Sequence, residues 1–182
     1  MSSSSWFTTA GAALLLCFWA LGAHNRLMAL RSAIHAAWGP LDTLLTERGQ
    51  SLAALCERLR PHLPDEQAAL DAGLAAVTQV RVGVDQVRLK PSSGDAVAGL
   101  AAAEAALAPT LARLPTLLPA DSPARQDDEL VAALAALPTL DAHLSFARST
   151  FNQAAQTYNA AVQQFPTLLL APALGFGRAG VL

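Results

Sequence analysis

Large apolar residues recur at intervals of seven along residues 130–166: Leu130, Leu137, Leu144, Phe151, Tyr158 and Phe165. A second series, Ala133, Leu140, Ala147, Ala154 and Ala161, falls between them at the same interval. Alternating steps of three and four keep one stripe on one helix face, as in a coiled-coil seam. The pattern predicts a long helix bent near Pro138 and stopped by Pro166, which lacks the N–H to continue. Small residues line the second half of this seam, where a neighbouring helix can approach closely.

The same spacing runs through Leu27, Leu30, Ile34, Ala37, Leu41 and Leu44. It predicts a helix over residues 24–60, bent at Gly39-Pro40 and ended by Pro61 and Pro64. Residues 65–89 form a second predicted helix, with Leu70, Leu74, Val77, Val84 and Val87 turned inward. Its end, VRVGVDQVRL, alternates with period two, but a lone strand has no partner here, so it reads as helix. After the loop KPSSG comes a third helix over residues 95–118. Its seam is Val97, Leu100, Glu104, Leu107, Leu111, Leu114 and Leu118, with one acid among apolar residues and with Pro109 and Pro115 to kink or split it. PADSPARQ is a second loop, and Asp127-Asp128-Glu129 suits the N-terminus of the fourth helix. Short loops between long helices predict antiparallel neighbours, hence an all-α chain with an up-down four-helix bundle over residues 24–166.

Two apolar segments flank this bundle. Residues 6–23, WFTTAGAALLLCFWALGA, carry no charge and are just long enough to cross a bilayer core of about 30 Å as a helix. Trp6 and Trp19 stand near its ends, where interfacial aromatics are favoured. The competing reading is a signal peptide. No positive segment precedes the run, and Leu21-Gly22-Ala23 is a poor cleavage site, so residues 1–23 read as an uncleaved transmembrane anchor. Arg26 and Arg31 follow the span and no positive side chain precedes it. That places the N-terminus outside and the bundle in the cytoplasm. The tail, residues 167–182, has Arg178 as its one charged side chain. It is expected to fold back on the bundle, the alternative being a contact with the membrane surface or a partner.

Composition narrows the function. Hydrophobic residues make up 53% of the chain, Ala and Leu dominate, and charged residues are 14%. With a net charge of -2 and no Lys/Arg cluster, nucleic-acid binding is not expected, since it rests on neutralising phosphates. The two cysteines, Cys17 and Cys56, form no CxxC and join no Cys/His cluster, so neither a zinc site nor a disulfide framework is indicated.

Two segments together resemble the LemA family of bacterial membrane-anchored helical proteins. The first, HNRLMALRSAIHAAWGPLD at residues 24–42, directly follows the predicted span; Asn25, Leu27, Leu30, Arg31, Ala37, Trp38 and Asp42 match the family pattern, while His24 stands where a tyrosine is usual. The second covers residues 147–176 and carries Phe151-Asn152, Tyr158-Asn159, Phe165-Pro166 and Gly175-Phe176. The resemblance is diluted between residues 50 and 145, where many prolines and an Ala-rich third helix depart from the usual pattern. It implies a single N-terminal anchor in the bacterial inner membrane, a long-helix bundle and no established enzymatic chemistry or cofactor.

Among candidate residues, Asn152, Asn159 and Arg148 make a polar line beside the aromatic seam, with Asp141 one heptad before Arg148. A recognition strip for another chain is one reading. Interhelical hydrogen bonds that fix register are the favoured one, an attested use of buried Asn. Arg31 would pair with an acid on the fourth helix. Asn25, Arg31, Trp38, Arg148, Phe151, Asn152, Tyr158, Asn159, Phe165 and Pro166 are thus structural or interaction candidates, and no catalytic or metal-ligating set emerges. His24, His35, His62 and His143 lack metal-ligand spacing. Cys56, with His35 or His62 as base, is the one candidate nucleophile, and its neighbours Leu52, Leu55 and Leu59 favour a buried small hydrophobe instead. The expected function is a membrane-anchored, non-enzymatic scaffold or adaptor with a protein partner or self-association. The alternatives are an accessory subunit of a membrane enzyme such as a protease and, more remotely, a hydrolase using Cys56.

Overall fold

The computed structural model describes residues 3–113, 116, 126–165, 167–172 and 174–182, with the side chains of residues 3–9, 12 and 13 outside the description. Five α-helices appear among the described residues, in order: α1 Ser3–Leu59, α2 Gln67–Leu89, α3 Gly94–Arg113, α4 Asp128–Gln163 and the single turn α5 Thr167–Leu170. Among the described residues there are no strands. The period-two stretch at the end of α2 is helical, as expected: Val80, Val84 and Val87 face the core. Gly83 sits between them, where a Cβ would come within 3.1 Å of the Leu100 Cα. A side chain there would push α3 away.

α1 packs along both α4 and α2, and α2 packs along α3. Partner pairs show the directions. Arg58 pairs with Glu129, Arg48 with Asp141, and Trp38 with Phe151, so α4 descends as α1 ascends. Arg88 grips Asp42 with two bonds of 2.9 and 2.7 Å at one end of α2, and Arg60 reaches Asp71 at 2.8 Å at the other. The α1–α2 turn is closed by Gln67, whose side-chain amide donates to the carbonyls of Arg60 and Leu63, both at 2.9 Å. These are orphan carbonyls at the end of a helix. At the start of α4, the Asp127 carboxylate accepts from the Glu129 and Leu130 amides at 3.0 and 3.2 Å, an N-cap.

α1 ends just before Pro61, as expected, and Pro109 does not split α3. Helical structure runs without interruption through Gly39-Pro40 in α1, Pro109 in α3 and Pro138 in α4. Packing of long apolar faces on either side holds each helix together across the missing N–H. The predicted stop at Pro166 and the predicted break at Pro115 lie outside the described residues, as do Leu114, Leu118 and most of the PADSPARQ loop. α3 and α4 are both long and apolar enough to cross a membrane, a property that the core helices of a bundle share.

The core contains Leu27, Ile34, Trp38, Leu41, Leu45, Leu52, Leu55 and Leu59 from α1, Val97, Leu100 and Leu107 from α3, and Leu130, Leu144, Phe151 and Tyr158 from α4. One seam residue is corrected: Phe165 is 75% exposed. α4 ends at Gln163, so the helical register that buries Phe151 and Tyr158 no longer carries Phe165 inward.

Candidate interaction site

α3 and α4 scarcely touch backbone to backbone, and two devices fill the seam between them. The first is ionic. Glu104, which breaks the apolar seam of α3, accepts from Arg48 of α1 on one carboxylate oxygen and from Arg148 of α4 on the other, the latter at 2.7 Å. The Arg48 and Glu104 side chains are 10% and 11% exposed, so both charges are largely withdrawn from water. Asp141 adds a longer contact to Arg48 at 3.5 Å. The Arg148 Nε is buried without a partner among the described residues. Arg48 escaped sequence reasoning. The signal was present in its register, since Leu41, Leu45, Arg48, Leu52 and Leu55 step by three and four along the inward face.

The second device is the tail. The residues after α5 turn back at Gly175, whose φ of 74° lies in the left-handed region that favours glycine. The Phe176 amide donates to the Ala171 carbonyl at 2.9 Å and the Gly175 amide to Pro172 at 3.2 Å, a Schellman closure. Residues 176–182 then run extended along α4. An extended segment has no hydrogen bonds of its own, so its backbone needs partners when it is covered. Asn159 supplies two, donating to the Ala179 carbonyl at 2.9 Å and accepting from the Ala179 amide at 2.7 Å. One heptad earlier Asn152 does the same for Leu182, at 2.6 and 2.8 Å. Between them the Tyr158 hydroxyl donates to the Gly177 carbonyl at 2.9 Å. On the other side lies α3: a Cβ on Gly180 would come within 2.6 Å of the Val97 Cβ.

The asparagines therefore do not make the interhelical bonds expected of them. Each side-chain amide pairs with a tail peptide, while the preceding aromatic enters the core. Phe151 meets Trp38 edge to face, with ring centroids 5.8 Å apart. Tyr158 is buried, and burial pushes its hydroxyl above the ordinary phenol range, partly offset by the charge of Arg31. Arg31 finds no acid on α4, because α4 has none after Asp141. Asn25 is exposed and Pro166 lies outside the described residues.

Cys56 is buried in the core beside α2, and desolvation raises its thiol pKa. A nucleophilic thiol needs the opposite shift. His35 and His62 are both exposed.

The outer face of the α1–α4 pair is a different surface. Ala33, Ala36, Pro40, Thr150, Ala154 and Thr157 leave a shallow apolar groove of about 810 Å³, walled by Leu30, Phe146 and Gln153. Phe146 stands 77% exposed at its edge. A second depression continues along the same pair toward Arg58 and Ala133, sharing Leu44 and His143 with the first.

The tail closes the seam between α3 and α4, and a family model spans most of the chain. The model described as LemA family matches residues 37–182. The chain belongs to the LemA family. The match includes Trp38, Asp42 and all four C-terminal motif pairs of this LemA-family chain, and begins after Asn25, Leu27, Leu30 and Arg31. No curated protein and no solved structure matches it.

Proposed function

We propose that this LemA-family chain is a membrane-anchored, non-enzymatic helical scaffold of the bacterial cell membrane. Residues 6–23 cross the bilayer with the N-terminus outside. Residues 24–166 form an up-down four-helix bundle in the cytoplasm, which offers its outer α1–α4 face to a protein partner or a second copy. The observation that carries this reading is the overhang of α1. At 57 residues it is about 85 Å long, whereas α4, with 36, is about 54 Å and ends near the level of His24 and Arg26. Beyond that level Leu14, Leu15, Leu16, Phe18 and Leu21 are exposed on a segment with no charge. A contiguous apolar surface of this kind marks an interface, and its length fits a bilayer. Arg26 and Arg31 just after it set the orientation.

Extraction of native membranes with alkaline carbonate tests the anchor. The full chain stays in the pellet, and a chain lacking residues 1–23 is released. Release of the full chain, or retention of the shortened one, overturns the anchor. For the scaffold role, a photo-crosslinking amino acid at Phe146 captures one recurrent protein in cells, and the same group at Val82 on α2 does not. Equal labelling from the two positions would remove the groove from consideration.

A further inference from the structure

We infer that α5 and its flanking turns form a second membrane contact, with Phe165, Leu168, Leu169 and Leu174 entering the interfacial layer of the leaflet from which α1 emerges. The inference rests on the reading of residues 6–23 as a membrane span. Its first support is position. α5 packs on α1, and Phe176, just after it, meets the His24 ring with centroids 5.4 Å apart. Trp19, Ala20, Ala23 and His24 are half-buried, whereas Leu16 and Phe18 are exposed. The rest of the chain therefore covers α1 down to about Trp19, roughly one turn inside the apolar span. A segment held at that depth beside a membrane helix lies at the bilayer surface or in it.

The side chains are sorted to match. Ala171 and Phe176 turn inward and are buried, while Phe165 and Leu169 are 75% and 69% exposed, with Leu168 and Leu174 exposed beside them. Water is a poor solvent for such a cluster on a single exposed turn. The Schellman closure at Gly175 and the grip of Asn159 on Ala179 hold the apolar tip in place, so little entropy is lost when it meets lipid. Charge agrees as well. Residues 1–41 and 142–182 contain no Asp or Glu, and Arg26 and Arg178 are exposed. Asp95 is exposed at the start of α3 near Arg178, so the charge that suits a leaflet of anionic headgroups is that of Arg26, on α1 itself.

The test uses the full chain in vesicles of phosphatidylcholine and phosphatidylglycerol. Cys17→Ser leaves the buried Cys56 as the only native thiol, and Leu15→Cys, Leu169→Cys and Val82→Cys are each labelled with an environment-sensitive fluorophore. Nitroxide-bearing lipids are expected to quench labels 15 and 169 several-fold more than label 82. Shallow nitroxides are the more effective at 169 and deep ones at 15. If 15 is quenched by lipid but 169 responds only to aqueous iodide, the second contact is wrong and the anchor stands. If neither meets lipid, the anchor reading itself fails. A label at 169 shielded from both lipid and iodide indicates a protein contact and also overturns the inference.

Discussion

The α3–α4 seam is closed in one half by three charged side chains and in the other by a peptide segment, and the two closures obey different rules. In the half nearer the start of α4, Arg48, Glu104 and Arg148 join three helices through charges taken largely out of water. In the half nearer the α1 overhang, the tail lies between α4 and α3, held through its backbone by Asn152, Tyr158 and Asn159. Buried charges are costly to desolvate and costlier to leave unpaired, so the triad tolerates only its own register. The tail closure distributes its bonds over five contacts to main-chain atoms, each worth about 0.5–1.5 kcal/mol net. It can therefore weaken in steps.

Of the two closures, the triad gives the larger expected effect. Glu104→Ala leaves the largely buried Arg48 guanidinium with only the longer Asp141 contact and should lower the stability of the full chain in detergent by about 3–5 kcal/mol, read from chemical denaturation. Replacing Arg48, Glu104 and Arg148 together by Met, Leu and Leu should be neutral or stabilising. A cost for Glu104→Ala below about 1 kcal/mol, the range of exposed pairs, would show that solvent reaches the site and that the tail alone holds the seam.

The two closures also differ in how far the amino-acid pattern betrays them. Phe151-Asn152 and Tyr158-Asn159, one heptad apart, mark a polar line beside a core line, and that much is visible in the chain. What receives the amides is not, because their partner is backbone, which has no residue signature; hence the expectation of interhelical bonds. Arg48 is hidden for another reason. The stripe Leu41, Leu44 and the stripe Leu41, Leu45 are equally good continuations of a step of three or four. Both step next onto position 48, where a charged residue reads as surface, and only packing brings Glu104 to it. The heptad count fails at Phe165 because a period has no knowledge of where a helix ends. Helix content itself was plain from the long periodic apolar faces, which survive three internal prolines.

The tail closure comes next in size. Asn159→Ala leaves the amide and carbonyl of Ala179 without partners in a covered site and should cost about 1–3 kcal/mol, with Asn152→Ala similar or smaller near the chain end. The distinguishing measurement is amide exchange. The Ala179 and Leu182 amides should lose protection in these variants, while the α1–α2 pair stays protected. Retained protection at Ala179 would mean that apolar contacts of the tail, not the asparagines, hold it.

Tyr158→Phe is smaller, about 0.5–1.5 kcal/mol near neutral pH, since it removes one hydrogen bond to Gly177 and leaves the ring in place. It also separates the closures by pH. Burial raises the Tyr158 pKa above its ordinary value of 10.0, so the fold favours the neutral hydroxyl. The contribution is complete below that ordinary value and is lost as pH climbs through the raised folded one. Cys56 has the same sign, starting from 9.0, because its raised pKa also favours the neutral thiol. Stability should therefore fall in alkali, first through Cys56 and then through Tyr158, and Tyr158→Phe in a Cys56→Ala background should flatten that fall. An unchanged alkaline slope in the double variant would place the pH sensitivity elsewhere.

The smallest effect is expected at Phe165, and it decides what the exposed aromatic is for. Phe151→Ala opens a cavity against Trp38 and should cost about 3–5 kcal/mol. Phe165→Ala removes a ring that touches little protein and should change stability in detergent by no more than about 0.5 kcal/mol. Both residues belong to one heptad series, so a difference this large between them cannot come from sequence periodicity. It comes from the end of α4 at Gln163. A Phe165→Ala cost approaching that of Phe151→Ala would mean that the helix continues past Gln163 and buries the ring. The apolar tip at α5 would then lose its most exposed member, and the case for lipid at that end would rest on Leu168, Leu169 and Leu174.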